Sequence, residues 1–110
     1  MTFSALSFKL RDVARSGEWT TEQAIAPIAG IDPAHPGFTA KLGAVLDAID
    51  RAEDAEGRPL LSAVVVMRAT GMPGATFFAF ARERELHGGG DDRALWEREL
   101  QRVHDDWYRH

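Results

Sequence analysis

Apolar residues recur at helical spacing through the first half of the chain and predict three helices there. The first covers about residues 4–16, and Gly17 follows it where a helix often ends in a left-handed residue. The second covers residues 20–30, with Pro27 as a kink or an early end. The third covers residues 36–55, and its apolar stripe consists of Phe38, Leu42, Val45, Leu46, Ile49 and Ala52.

The second half of the chain predicts two strands and a last helix. Residues 60–67 are apolar at successive positions, which favours a strand covered on both faces. Turn-forming residues at 69–74 separate them from residues 76–81, whose phenylalanines indicate a return strand, so that the two strands form a β-hairpin. After the glycines at 88–90, a terminal helix is predicted by the helical spacing of Trp96, Leu100, Val103 and Trp107.

This order of elements predicts a single α+β domain over residues 1–110, with three N-terminal helices, a β-hairpin and a C-terminal helix. A length of 110 residues suits one domain. The order resembles a winged helix, and residues 19–80 are similar in layout to the small winged-helix domain of alkylguanine alkyltransferases. The chain has no cysteine to act as that family's nucleophile. The resemblance therefore implies a fold and not a reaction.

A second resemblance covers about a quarter of the chain. Residues 57–66, followed by 70–74 and the pair Phe77 and Phe78, resemble a stretch that recurs in small uncharacterised bacterial and phage-associated proteins. It implies a bacterial or phage protein and carries no function with it.

The charge of the chain makes nucleic acid a less favoured partner. Thirteen Lys and Arg stand against seventeen Asp and Glu, for a formal net charge of -4, whereas binding to phosphate backbones draws on an excess of cations. The third helix adds an acidic face with Asp47, Asp50 and Asp54. A winged-helix DNA-binding protein remains an alternative, and its contacts would come from Arg11, Arg15, Lys41, Arg68 and Arg82.

The cellular location follows from the apolar runs and the cysteine count. The longest apolar run, residues 63–67, is far shorter than the roughly 20 residues that cross a bilayer. The first ten residues do not form an export signal. We expect a cytoplasmic protein that does not bind membranes.

The predicted hairpin loop offers a possible anion site. Gly71, Met72, Pro73 and Gly74 form a turn whose backbone amides can face an anion, with Arg68 and Arg82 beside it. A tight turn needs glycine and proline whatever it binds, so this site is a weaker interpretation. It defines a further alternative, a small-ligand or anion-binding protein that uses residues 68–82.

The sequence predicts no catalytic residue, metal site or cofactor, and whether the chain is an enzyme stays open, with a non-enzyme favoured. Ser62 lacks the small neighbours of a hydrolase nucleophile. The histidines do not have the spacing of a known ligand set; they are His35, His87, His104 and His110.

The favoured hypothesis is a small non-enzymatic protein-interaction module, such as an accessory, adaptor or inhibitor protein. Its binding residues would include Trp107 and Tyr108 on the terminal helix, since aromatic side chains often anchor interfaces. A protein partner is expected. A homodimer is also possible, because a hairpin that is apolar on both faces needs a second cover.

Overall fold

The computed structural model describes residues 2–86 and 90–108. It is mostly helical, with a small parallel sheet. The helices are α1 (Thr2–Arg15), α2 (Glu22–Ile25), α3 (Phe38–Ala55), α4 (Ala75–Glu83) and α5 (Asp92–Tyr108), the strands are β1 (Thr20–Thr21) and β2 (Val65–Val66), and two 3-10 helices span Ala26–Ala29 and Leu61–Val64.

The three long helices lie where the hydrophobic pattern predicts them, because each has a continuous apolar face that packs inward. The predicted stripes of α3 and α5 are buried, although Phe38, Val45 and Leu100 are only half-buried and Ala52 is exposed. In α1 the buried residues are Leu6, Leu10 and Ala14. Gly17 ends α1 with a φ of 71°. Of the glycines at 88–90, those at 88 and 89 lie outside the described residues.

The predicted second helix is instead one turn of α-helix followed by a 3-10 helix, so the N-terminal helix count differs from three. Thr20 and Thr21 stay extended because they pair in parallel with Val65 and Val66. The Thr21 hydroxyl then caps α2 by accepting a hydrogen bond from the Ala24 amide at 3.2 Å.

The predicted β-hairpin is wrong. Residues 75–83 form α4, and β2 pairs with β1 instead of with a return strand. Phe77, Phe78, Phe80 and Ala81 are all buried, a spacing that places them on one side of a helix but on both faces of a strand. The described residues contain no antiparallel pair, so the winged-helix resemblance is not confirmed.

Residues 60–66 pass through the centre of the molecule. All seven are buried, and the 3-10 helix within them contacts α1, α3 and α5. The apolar segment that sequence analysis assigned to a strand is thus covered by helices of its own chain. The argument for a second copy as cover no longer holds, although a dimer itself stays a prediction.

Buried side chains satisfy the backbone of this irregular segment. Glu99 accepts a hydrogen bond from the Leu60 amide at 2.8 Å, and the Trp96 ring nitrogen donates to the Ala63 carbonyl at 2.8 Å. Buried backbone polar groups need such partners when no regular ladder supplies them. The segment is therefore fixed to α5 by hydrogen bonds as well as by packing.

The helices of the described ranges include none that combines the length and apolarity of a membrane span.

Candidate functional site

A cavity of about 410 Å³ lies beside α3, between α2, the 3-10 helix at 61–64 and the first turn of α4. The larger part of its wall is apolar or glycine: Pro36, Gly37, Ala40, Gly43, Leu46, Val65, Pro73, Gly74, Ala75 and Phe77. The polar part consists of three hydroxyls and three carboxyls, from Thr39, Ser62, Thr76, Glu22, Asp47 and Asp50. Apolar walls with a few polar groups are typical of small-molecule sites.

Asp50 is one of two buried carboxyls in the wall and is 1% exposed. One of its oxygens accepts the Ser62 amide at 2.9 Å, and the other accepts the Ser62 hydroxyl at 2.6 Å. Burial, aided by the nearby carboxylates of Asp47 and Glu99, raises the pKa of Asp50 to about 7, although the hydrogen bonds from Ser62 oppose the rise.

Glu22 is the second buried carboxyl, at 5% exposed. Burial also raises its pKa, and a hydrogen bond from the Thr39 side chain opposes that rise. It forms no ion pair with any residue in the described ranges. Its carboxyl faces the cavity from the first turn of α2.

Two glycines set the shape of the wall by letting other groups approach closely. A Cβ on Gly74 would lie 3.3 Å from Glu22 Oε2, and a Cβ on Gly43 would lie 2.7 Å from Thr76 Oγ1. Gly43 therefore allows α4 to begin against the side of α3. Together they bring the first turn of α4 and the Glu22 carboxyl to the same cavity.

The wall is acidic. Asp47 forms an ion pair with Arg51 at 2.8 Å, and no described residue of the wall is Lys, Arg or His. A protonated carboxyl donates a hydrogen bond and an ionised one accepts. The cavity thus offers hydroxyls and carboxyls to the polar groups of a ligand.

The residues of the predicted anion site are only partly together. Pro73 and Gly74 lie in the cavity wall, whereas Met72 is half-buried against the core. Arg68 and Gly71 are exposed, and the Gly71 amide closes the loop by donating to the Met67 carbonyl at 2.8 Å. Arg82 forms an ion pair with Asp92 at 2.8 Å.

The two aromatic candidates of α5 lie apart from this cavity wall and differ from each other. Trp107 is buried, and the guanidinium groups of Arg11, Arg15 and Arg58 lie 5.0–5.4 Å from its ring centroid. Tyr108 is 81% exposed. Only Tyr108 presents its ring to solvent.

The histidines have local contacts. His35 Nδ1 accepts a hydrogen bond from the Gly37 amide at 3.0 Å, and His104 Nε2 lies 2.9 Å from the Glu18 carbonyl. His87 and His110 lie outside the described residues. Within the described ranges, no three side chains of the metal-binding types are placed to hold an ion.

Sequence analysis missed Glu22, Asp50 and Ser62 as residues of a site. It placed Asp50 on the acidic face of α3, away from the buried stripe, which is wrong because Asp50 is buried. Asp50 follows Leu46 by four residues, and Glu53 follows Ile49 by four, so both extend the buried stripe. That spacing was the available signal, and it predicts buried carboxylates that need partners.

Comparison of the chain with protein-family models, curated proteins and solved structures found no match.

Proposed function

We propose that this chain is a small-molecule-binding protein and that the cavity beside α3 is its binding site. The observation that carries the proposal is a cavity of about 410 Å³ with two buried carboxyls, Glu22 and Asp50, in a mostly apolar wall. Few buried polar groups in an apolar wall can orient a ligand, while the apolar surface supplies affinity. The proposal keeps the Pro73–Gly74 part of the predicted ligand site and moves its centre to α3.

The volume supports a ligand of appreciable size. Apolar cavities of about 150 Å³ already bind a benzene ring. A space of about 410 Å³ therefore accommodates a ring with a polar substituent. Burial of such a ligand would remove water from the carboxyls and strengthen their hydrogen bonds to it.

The test is a cavity-filling variant with a matched control on the same helix. Ala40 and Ala48 are both exposed on α3, but only Ala40 lines the cavity. Fragments that bind in the cavity are first identified in the wild type by shifts of the Gly43, Ser62 and Gly74 amide resonances in NMR spectra. We expect Ala40→Phe to bind these fragments at least about tenfold more weakly than the wild type does. They should bind Ala48→Phe as they bind the wild type.

The opposite result would reject the site. Fragments that bind Ala40→Phe and the wild type equally do not occupy this cavity. A broad fragment library that shifts none of these resonances in the wild type would remove the proposal altogether.

A protein-interaction module is the second candidate, and exposed aromatic residues favour it. Trp19 is 57% exposed and Tyr108 is 81% exposed. The His104 ring contacts the Glu18 carbonyl, so the segment before Trp19 lies against the helix that carries Tyr108. A shallow depression beside them is lined by Arg15, His104 and Tyr108, among others. Exposed aromatic and arginine side chains are common anchors of protein interfaces.

Affinity capture tests this candidate. A partner that binds through this surface should be retained from a nuclease-treated lysate by the wild type and lost with Tyr108→Ser. Phe8→Ser removes another exposed ring, one that does not line the depression, and should retain the partner. A partner retained equally by all three proteins would bind elsewhere.

Nucleic-acid binding is not proposed. Of the five cations that it would use, Arg11 pairs with Glu53 at 2.6 Å and Arg82 pairs with Asp92. Arg15 stacks on Trp107. These contacts leave less positive charge for phosphates than the sequence alone suggests.

A further inference from the structure

We propose that the cavity beside α3 selects ligands that carry a protonated amine, with the Glu22 carboxylate as the group that receives it. This inference rests on the proposed function, since it names the chemical class of ligand for the same cavity. Its support comes from which of the wall's carboxyl oxygens are already occupied by hydrogen bonds or ion pairs.

Asp50 and Asp47 are already engaged by this chain. Both oxygens of Asp50 accept hydrogen bonds from Ser62, one from the amide and one from the hydroxyl. Asp47 pairs with Arg51, whose guanidinium also reaches Glu83 at 3.0 Å. A ligand would have to displace these contacts to use either carboxyl fully.

Glu22 is different, because the residue is buried and its carboxyl accepts a hydrogen bond from the Thr39 side chain, yet it has no cation beside it in the described ranges. A buried carboxylate is stabilised by an opposite charge and by several hydrogen bonds. An ammonium group supplies both, since it is positive and donates three hydrogen bonds. The hydroxyls of Thr39 and Thr76 in the same wall can accept further bonds from it.

The charge of the wall disfavours the opposite class of ligand. The described wall contains three carboxyls and no cationic side chain. An anionic ligand would meet like charge there and would be repelled. The remaining wall, formed by residues such as Leu46, Val65 and Phe77, suits an apolar body attached to the amine.

Three ligands that share a phenylalkyl body and differ in charge test this inference directly. They are 2-phenylethylamine, 2-phenylethanol and 3-phenylpropanoate, each titrated into the wild-type protein at neutral pH and followed by NMR at Gly43, Ser62 and Gly74. We expect the amine to bind at least about tenfold more tightly than the alcohol, because a charge-assisted hydrogen bond is stronger than a neutral one. The propanoate should bind more weakly than both.

Glu22→Gln identifies the receiving group. It keeps the size of the side chain and removes its charge, and we expect it to abolish the preference for the amine over the alcohol. Glu97→Gln makes the same change at an exposed position of α5 that does not line the cavity, and should keep the preference. The comparison of the three ligands needs only the wild type, so it remains decisive even where Glu22→Gln does not fold.

The outcomes separate the two proposals. Tighter binding of the alcohol or the propanoate at the cavity residues would overturn the amine preference and leave the cavity as a binding site. An amine preference that survives unchanged in folded Glu22→Gln would overturn the role of Glu22. The proposed function itself fails only where neither these ligands nor a fragment library shift the cavity residues.

Discussion

Asp50 is buried in the protein interior, where aspartate is rarely found. It is 1% exposed, and its partners are the amide and hydroxyl of Ser62. Asp47 and Glu99 are also close enough to raise its pKa, which reaches about 7. The native state therefore holds the Asp50 proton much more tightly than the unfolded chain does.

This difference makes stability depend on pH in a known direction. Between the ordinary aspartate value of 3.8 and about 7, the native state binds more protons, so the free energy of unfolding falls as pH rises. The fall is at most about 1.4 kcal/mol per pH unit. The raised pKa of Glu22 acts in the same direction.

Asp50→Asn should reduce this pH dependence. The amide keeps the shape of the side chain, accepts the Ser62 amide and has no proton to lose in this range. Urea denaturation at pH 5, 6, 7 and 8 should show a shallower decline of the free energy of unfolding than in the wild type. The stability of Asp50→Asn relative to the wild type should therefore increase as pH rises.

Asp12→Asn is the matched control for that experiment, because Asp12 is exposed on α1. The free energy of unfolding of Asp12→Asn should decline with rising pH as steeply as that of the wild type. A decline in Asp50→Asn as steep as in the wild type would show that Asp50 does not cause it.

At the scale of elements, α4 shows where pattern-based reasoning failed. Its three phenylalanines favour a strand by propensity, and turn formers precede them. The buried positions 77, 78, 80 and 81 nevertheless fit a helix of 3.6 residues per turn. The long helices were predictable because several turns repeat one pattern, whereas α4 spans only nine residues.

The contact between α3 and α4 depends on a glycine. A Cβ at Gly43 would lie 2.7 Å from Thr76 Oγ1 but 3.7 Å from Thr76 Cβ. The hydroxyl is therefore the atom that excludes a larger residue. A glycine within a helix lowers the stability of the helix by about 1 kcal/mol relative to alanine. The close contact between α3 and α4 therefore requires a residue that makes α3 itself less stable.

Gly43→Ala should accordingly have opposite effects in two backgrounds. In the wild type, overlap with the hydroxyl should outweigh the propensity gain and lower the free energy of unfolding by about 1 kcal/mol. In Thr76→Ala, the same substitution should raise it by about 0.5–1 kcal/mol. Urea denaturation of the four proteins in a double-mutant cycle measures both. Equal effects in the two backgrounds would rule out the contact as the cause.

At the scale of the whole molecule, the sequence predicted the helical layers but not what they enclose. Residues 60–67 were predicted to be buried, yet the cover of their second face was assigned to a partner copy because a hairpin leaves two faces open. In the structure α1, α3 and α5 surround them. The helices that pack on a buried segment are determined by contacts between residues distant in the sequence. The hydrophobic pattern of one segment gives no information about those contacts.

The candidate site was unpredictable for the same reason. Glu22, Asp50 and Gly74 are far apart in the chain and meet only at the cavity. The part that was predicted, Pro73 and Gly74, came from turn chemistry, which is local. The charge of the surrounding wall depends on which residues the fold brings together. The fold brings carboxyls to this wall, where the sequence had predicted arginines.

The hydrogen bonds between residues 60–66 and α5 also bear on how the chain is made. The Leu60 amide and the Ala63 carbonyl are satisfied by Glu99 and Trp96, which are synthesised more than thirty residues later. Until α5 leaves the ribosome, this apolar stretch lacks the part of its cover that α5 supplies and these two hydrogen-bond partners. We therefore expect folding of the nascent chain to depend on α5, and a chain that ends before α5 to be a target for chaperones and proteases.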